Sequence, residues 1–214
     1  MNKELLLTSL AIAMGASMNP VNADTIGFDT DSPGSLPLGW TQGVTGRGAA
    51  RWAVQQDESA PSKPNVLRQS GVGSFPWVVR SGTALENGYV EVRFKALAGK
   101  EDQAGGVIWR WKNGDSYYVA RANALEDNVS LYYVEAGSRK TLKYVNAPVP
   151  PKVWHTLGVD FSGRRISVAL NGKTYIELDD AHISGRGAVG MWTKADSVTA
   201  FDDFSFGSSK APRD

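Results

Sequence analysis

The chain has 214 residues, with 23 Lys and Arg against 22 Asp and Glu and 42% hydrophobic residues, a size that supports one self-sufficient core. A net charge of +1 argues against nucleic acid or an anionic membrane surface as the main partner, since both demand a strong basic surplus. The lack of cysteine removes disulfides, thiolate nucleophiles and cysteine-built metal sites, and leaves His155 and His182 as the only imidazoles.

Taken in chain order, residues 1–23 read as a secretory signal. Lys3 is followed by an apolar run from Leu5 to Ala16, and Val21 and Ala23 are small residues suited to cleavage after Ala23. The run is too short for a membrane span. The expectation is therefore a bacterial secreted or periplasmic protein, folded over residues 24–207 and ending in a disordered polar tail, 208–214. Within the folded part almost nothing has a helical period. The stretch from Ser32 to Lys63, rich in Gly, Pro, Ser and Ala, reads as long loops or edge structure.

Short alternating runs follow, which is the pattern of a two-sheet antiparallel β-sandwich. Val90, Val92 and Phe94 face one way, and Glu91, Arg93 and Lys95 face water. Leu157, Val159 and Phe161 alternate in the same way, and His155 shares their parity, so it is expected to point inward. Asn171-Gly172, between Ile166–Leu170 and Lys173–Leu178, predicts a type I′ hairpin turn, and Asn113-Gly114 predicts a second.

Seven tryptophans and seven tyrosines cluster in Trp109-Arg110-Trp111, Tyr117-Tyr118, Tyr132-Tyr133 and around Trp192. Such rings build cores, and they also stack on the apolar faces of sugars. Polar residues lie within or just beyond these runs: Arg110, Arg121, Asn123, Glu126, Asn128, Lys194 and Asp196. Arg121 and Asn123 share a strand face, and with Arg110 on a neighbouring strand they would present two guanidinium forks to hydroxyls or carboxylates. The alternative is a structural network in which Arg121 pairs with Glu126 or Asp196. Glycosidases of family 16 carry E-x-D-x-x-E on one strand face. The nearest match here, Glu177-Leu-Asp-Asp-Ala-His182, ends in histidine, so that motif is absent. Asp29, Asp31 and Asp202 could staple the first strand to the last through a structural calcium; an Arg or Lys partner is the other solution, and no cofactor is required.

Phe28–Gly34, Ala60–Leu67, Asp102–Arg110, Tyr117–Glu126 and Gly190–Phe204 together resemble secreted bacterial domains of the 3-keto-disaccharide hydrolase type. The resemblance implies a concanavalin A-like jelly roll and a carbohydrate ligand (disaccharide, glycoside or polysaccharide) at the concave sheet face. It also implies a hydrolase acting on 3-keto-glycosides, with a lectin-like binding module and a structural envelope protein as alternatives. Proton abstraction beside the ketone would need a carboxylate, Glu126 or Asp102, and a cation, Arg110, Arg121 or Lys194. Gln103, Trp109, Arg110, Arg121, Asn123, Trp192, Lys194 and Asp196 are the candidate substrate-binding residues. Relatives carry a longer insertion before Pro148 than the short segment from Arg139 to Val149 here, which predicts a more open groove.

Overall fold

A computed structural model describes residues 24–208; the segment read as a signal, 1–23, and residues 209–214 of the tail lie outside the described residues. All regular structure within them is β. The strands are β1 (Asp24–Ile26), β2 (Trp40–Gly48), β3 (Trp52–Gln56), β4 (Asn65–Gln69), β5 (Gly73–Arg80), β6 (Gly88–Ala98), β7 (Ala104–Asn113), β8 (Ser116–Asn123), β9 (Asn128–Glu135), β10 (Ser138–Asn146), β11 (His155–Ser162), β12 (Arg165–Leu170), β13 (Lys173–Asp179), β14 (Ala188–Trp192) and β15 (Val198–Gly207). An eight-stranded sheet runs β13-β12-β11-β6-β15-β4-β3, with β1 also paired to β15. A seven-stranded sheet runs β10-β9-β8-β7-β14-β5-β2, and all pairings are antiparallel. This is the jelly-roll sandwich anticipated from the alternation. The region from Ser32 to Lys63 supplies the edge strands β2 and β3.

Alternation decides which side chains make the core. In β6 and β11, Val90, Val92, Phe94, Leu157, Val159 and Phe161 are buried between the sheets. Each such side chain contributes roughly 1.5–3 kcal/mol of burial free energy. His155 is buried with them. Its ring hydrogen-bonds with the Pro150 carbonyl and with the Asn171 side chain, as a satisfied core histidine should. Asn171 and Gly172 have φ of 51° and 79°, as the type I′ turn requires. The other predicted turn falls one residue later. Asn113 pairs with Ser116, and neither Asn113 nor Gly114 has positive φ. The cause is a bulge at Arg110 (φ 48°), which shifts the register of β7 against β8 between Trp109 and Asn113.

A second bulge, at Asp203 (φ 47°), interrupts β15 between its pairing with β4 and its pairing with β1. It lets Phe201, Phe204 and Phe206 all enter the core. Asp202 pairs in register with Arg93 and is fully buried. Among the described residues no Lys or Arg pairs with it, so the expected basic partner is not found. Its carboxylate accepts hydrogen bonds from Ser62 N and Oγ, both at 2.9 Å, and from Asp203 N at 2.8 Å. Asp29 Oδ1 accepts from Asn65 N instead, and the Asp31 carbonyl accepts from the Asn65 side chain. Among the described residues no group of three or more His, Asp or Glu side chains is placed to hold a metal ion. No helix there is long and apolar enough to cross a membrane.

The seven-stranded sheet is apolar on both faces. Val78, Val107, Tyr118, Leu131 and Met191 join the sandwich core, while their strand neighbours Trp77, Ile108, Tyr117, Val119, Tyr132 and Trp192 form a separate cluster on the opposite face. The sheet curls around this second cluster. On a flat sheet β10 and β5 would lie roughly 24 Å apart at ~4.8 Å per strand. Arg139 on β10 nevertheless reaches Phe75 on β5, at 4.7 Å from guanidinium carbon to ring centroid. Thr45 on edge strand β2 likewise hydrogen-bonds Tyr117 on β8, at 2.8 Å.

Candidate functional site

The concave face closes over aromatic rings at its centre and carries charge at one end. Asp102, on the loop entering β7, is fully buried. It accepts from Arg121 Nη1 at 3.2 and 3.3 Å, from Asn123 Nδ2 at 2.9 Å and from Lys194 Nζ at 2.5 Å. The alternation of β8 turns Arg121 and Asn123 to this same face. Asp196 fixes the loop from the other side by accepting the backbone N–H groups of Lys100, Glu101 and Asp102. Those backbone bonds are the main reason its pKa lies below the ordinary carboxylate value.

Glu126, in the turn between β8 and β9, is 39% exposed at its side chain. One oxygen, Oε2, accepts from Arg121 Nη2 at 2.5 Å and from Asn128 Nδ2 at 2.7 Å. Burial works against its charge, but the Asn128 amide and the Arg121 and Lys194 cations outweigh burial and hold its pKa below the usual value. Of the two carboxylates named as bases, only Glu126 can meet a ligand. All the acceptor capacity of Asp102 faces Arg121, Lys194 and Asn123.

Next to this network lies a groove of about 400 Å³, whose lining includes Arg47, Val72, Phe75, Glu101 and Lys194. Phe75 stacks on Trp192 at 5.6 Å between centroids. Arg139 lies over Phe75, Tyr132 and Trp192, at 4.7, 4.2 and 5.7 Å. Trp192 is consequently fully buried and offers no open platform. The accessible aromatic wall of the groove is Phe75, with Val72 65% exposed beside it.

The structure thus brings together Asp102, Arg121, Asn123, Glu126, Lys194 and Asp196, with Trp192 packed beneath. Gln103 stays in the loop, donating to the Gly99 carbonyl at 3.1 Å. Trp109 and Arg110 are placed elsewhere. Trp109 is fully buried in the sandwich core, stacked on Tyr118 and Phe161. The β7 bulge sends Arg110 to the same interior, where it donates to the carbonyls of Glu86, Ile183 and Gly163 and lies over Phe161. Strict alternation had put those two neighbours on opposite faces. Sequence reasoning missed Phe75 and Arg139 as site residues. Arg139 reads as an ordinary solvated charge of an edge strand, and only the curl of the sheet carries it across the face.

The family described as the 3-keto-alpha-glucoside-1,2-lyase-like domain matches residues 31–205. The chain belongs to this family. The match to the lyase-like family runs from the β1–β2 loop into β15, and so includes every residue of the charged network. No curated protein matches the sequence. Solved structures share the fold at low identity. The carbohydrate-binding module CBM66 from Bacillus subtilis has a TM-score of 0.64 at 17% identity, over 78% of this chain and 93% of that one. The cellulose-induced protein Cip1 gives 0.63 at 13% identity, over 89% and 100%. A Bacillus licheniformis β-glucanase gives 0.59 at 12% identity, over 88% and 98%.

Proposed function

We propose that the protein is an exported carbohydrate-active domain that takes a 3-keto-glycoside in the groove beside Phe75 and cleaves it by elimination. The observation carrying this reading is the placement of a partly exposed carboxylate, Glu126, against Arg121 and near Lys194, which itself lines the aromatic-walled groove. In a 3-keto-glucoside the hydrogen on C2 is acidified by the neighbouring ketone. Glu126 takes that proton to leave an enolate, the enolate collapses to a ketone with a C1–C2 double bond as the C1–oxygen bond breaks, and the departing alkoxide takes a proton from water, whose hydroxide then recovers the proton held by Glu126. Lys194 is the cation to steady the enolate, since Arg121 is already shared between two carboxylates. One base suffices, so the absence of the paired carboxylates of family 16 enzymes is no obstacle. The family match and the sugar-related names among the fold neighbours support a carbohydrate ligand.

Glu126→Gln should lower turnover of a panel of 3-keto-glucosides by about a hundredfold or more while leaving their binding largely intact. Undiminished turnover overturns the assignment of the base. A second reading, a non-catalytic binding module, is favoured by one observation: the bonds that keep Glu126 ionised also weaken it as a base. Wild-type protein that binds these glycosides and converts none of them would establish that reading. Export with cleavage after Ala23 belongs to the same proposal, and N-terminal sequencing of the processed protein tests it, with Asp24 expected first.

A further inference from the structure

The guanidinium of Arg139 differs from the other buried or half-buried arginines in having no acceptor. Arg121 has Asp102 and Glu126, and Arg110 has three backbone carbonyls. Among the described residues the Arg139 side chain makes neither a salt bridge nor a hydrogen bond. Its Nη1 is shielded from water with no partner at all. What surrounds it is aromatic, Tyr132 at 4.2 Å, Phe75 at 4.7 Å and Trp192 at 5.7 Å. Rings cover the faces of the fork and supply cation–π attraction, but they cannot accept the in-plane N–H bonds. Burial therefore leaves this cation under-compensated and, with Arg121 close by, pulls its pKa below the ordinary value.

The position of this residue gives the orphan cation a meaning. Phe75 lies under Arg139 and lines the groove that also holds Lys194, Arg47 and one carboxylate, Glu101; Arg139 stands outside that lining and meets it through Phe75, and no salt bridge pairs Arg47 among the described residues. Nη1 is closed off, but Nε and Nη2 are not among the water-shielded atoms of this half-buried residue, so an incoming group can reach that edge of the fork. A planar carboxylate matches a guanidinium fork in its own plane. Here it would find the fork already stripped of much of its water and held between rings. We infer that the groove selects an acidic saccharide, one whose ring carries a carboxylate, and that Arg139 is the residue that accepts it.

This inference rests on the concave groove being the sugar site, and the test separates the two. Binding would be measured by calorimetry for matched disaccharides ending in glucose or galactose, in the corresponding uronates, and in the corresponding 6-sulfates. The uronate members should bind about tenfold or more tightly than the neutral ones, the usual size of a charge-assisted bond. In Arg139→Gln the uronates should bind no better than the neutral sugars, and Arg139→Lys should recover only part of the preference because the fork is lost. With the unmodified protein, the preference should shrink as salt is raised, which keeps the test independent of whether the variants fold. Equal binding of neutral and uronate sugars overturns the inference and leaves the groove as a sugar site. A preference for sulfate over uronate overturns the carboxylate assignment. If no disaccharide of this panel binds, the inference falls, while the 3-keto-glycoside reading is judged by its own turnover test.

Discussion

Asp102 shows how much can depend on one residue that never meets a ligand. Its carboxylate is fully buried and joins Arg121, Lys194 and Asn123, so it sets the position of Lys194 in the groove lining and of the buried Arg121 beside it. Asp102→Asn keeps the shape but withdraws the charge that two cations share, one of them buried. Removing one partner of such an arrangement costs about 3–5 kcal/mol. Urea unfolding should report a loss of that order, and sugar affinity should fall with it because Lys194 and Arg121 are no longer held. A variant of unchanged stability would mean that the cations find other partners, and Asp102 would lose its positioning role. Glu126→Gln, by contrast, should cost little stability, since the side chain is partly exposed and an amide oxygen can still accept from Arg121 and Asn128.

At the scale of strands, alternation made most of the fold legible and its interruptions hid the rest. β6, β8 and β11 follow the two-residue period, and the pairing of Arg121 with Asn123 on one face followed from it. β7 departs from the period where Arg110 takes φ of 48°, the strand there running two residues longer than β8 and one longer than β14. Nothing in Trp109-Arg110-Trp111 announces that bulge, since arginine is not a residue that favours the left-handed region. As a result Arg110 lands in the sandwich interior, bonded to carbonyls of three other segments. Arg110→Met should therefore act on stability and not on recognition. It strands those carbonyls at roughly 2–4 kcal/mol in total. The folded fraction should bind sugar with the affinity of the parent, measured by calorimetry on protein confirmed native by its circular dichroism. A selective loss of affinity would return Arg110 to the site. The curl of the seven-stranded sheet was equally invisible, because it depends on contacts between strands up to five places apart and no local pattern encodes it. Arg139 and Phe75 are legible as neighbours only once that curvature is known.

The sandwich as a whole answers to pH through a group far from the groove. Asp202 lies on the other sheet, where the Ser62 loop covers the β15 bulge, and its carboxyl is pushed up to about 6. Burial is the main cause, with the neighbouring Asp203 adding to it, and the hydrogen bonds from Ser62 and Asp203 only partly offset the effect. The unfolded chain releases this proton near its ordinary value, about 3.9. Between roughly pH 4 and pH 6 the folded state therefore holds more protons than the unfolded one, and linkage makes stability fall as pH rises. Below that window both states are protonated and the residue has no such effect; above it the full penalty remains, roughly 3 kcal/mol. Asp202→Asn removes the titration and keeps an oxygen for the Ser62 donors. Urea unfolding at intervals from pH 4 to pH 7.5 should show the parent losing stability relative to the variant across that window, with the gap constant above it. Parallel curves would mean that Asp202 is ionised throughout, and that the Ser62 and Asp203 bonds outweigh burial after all.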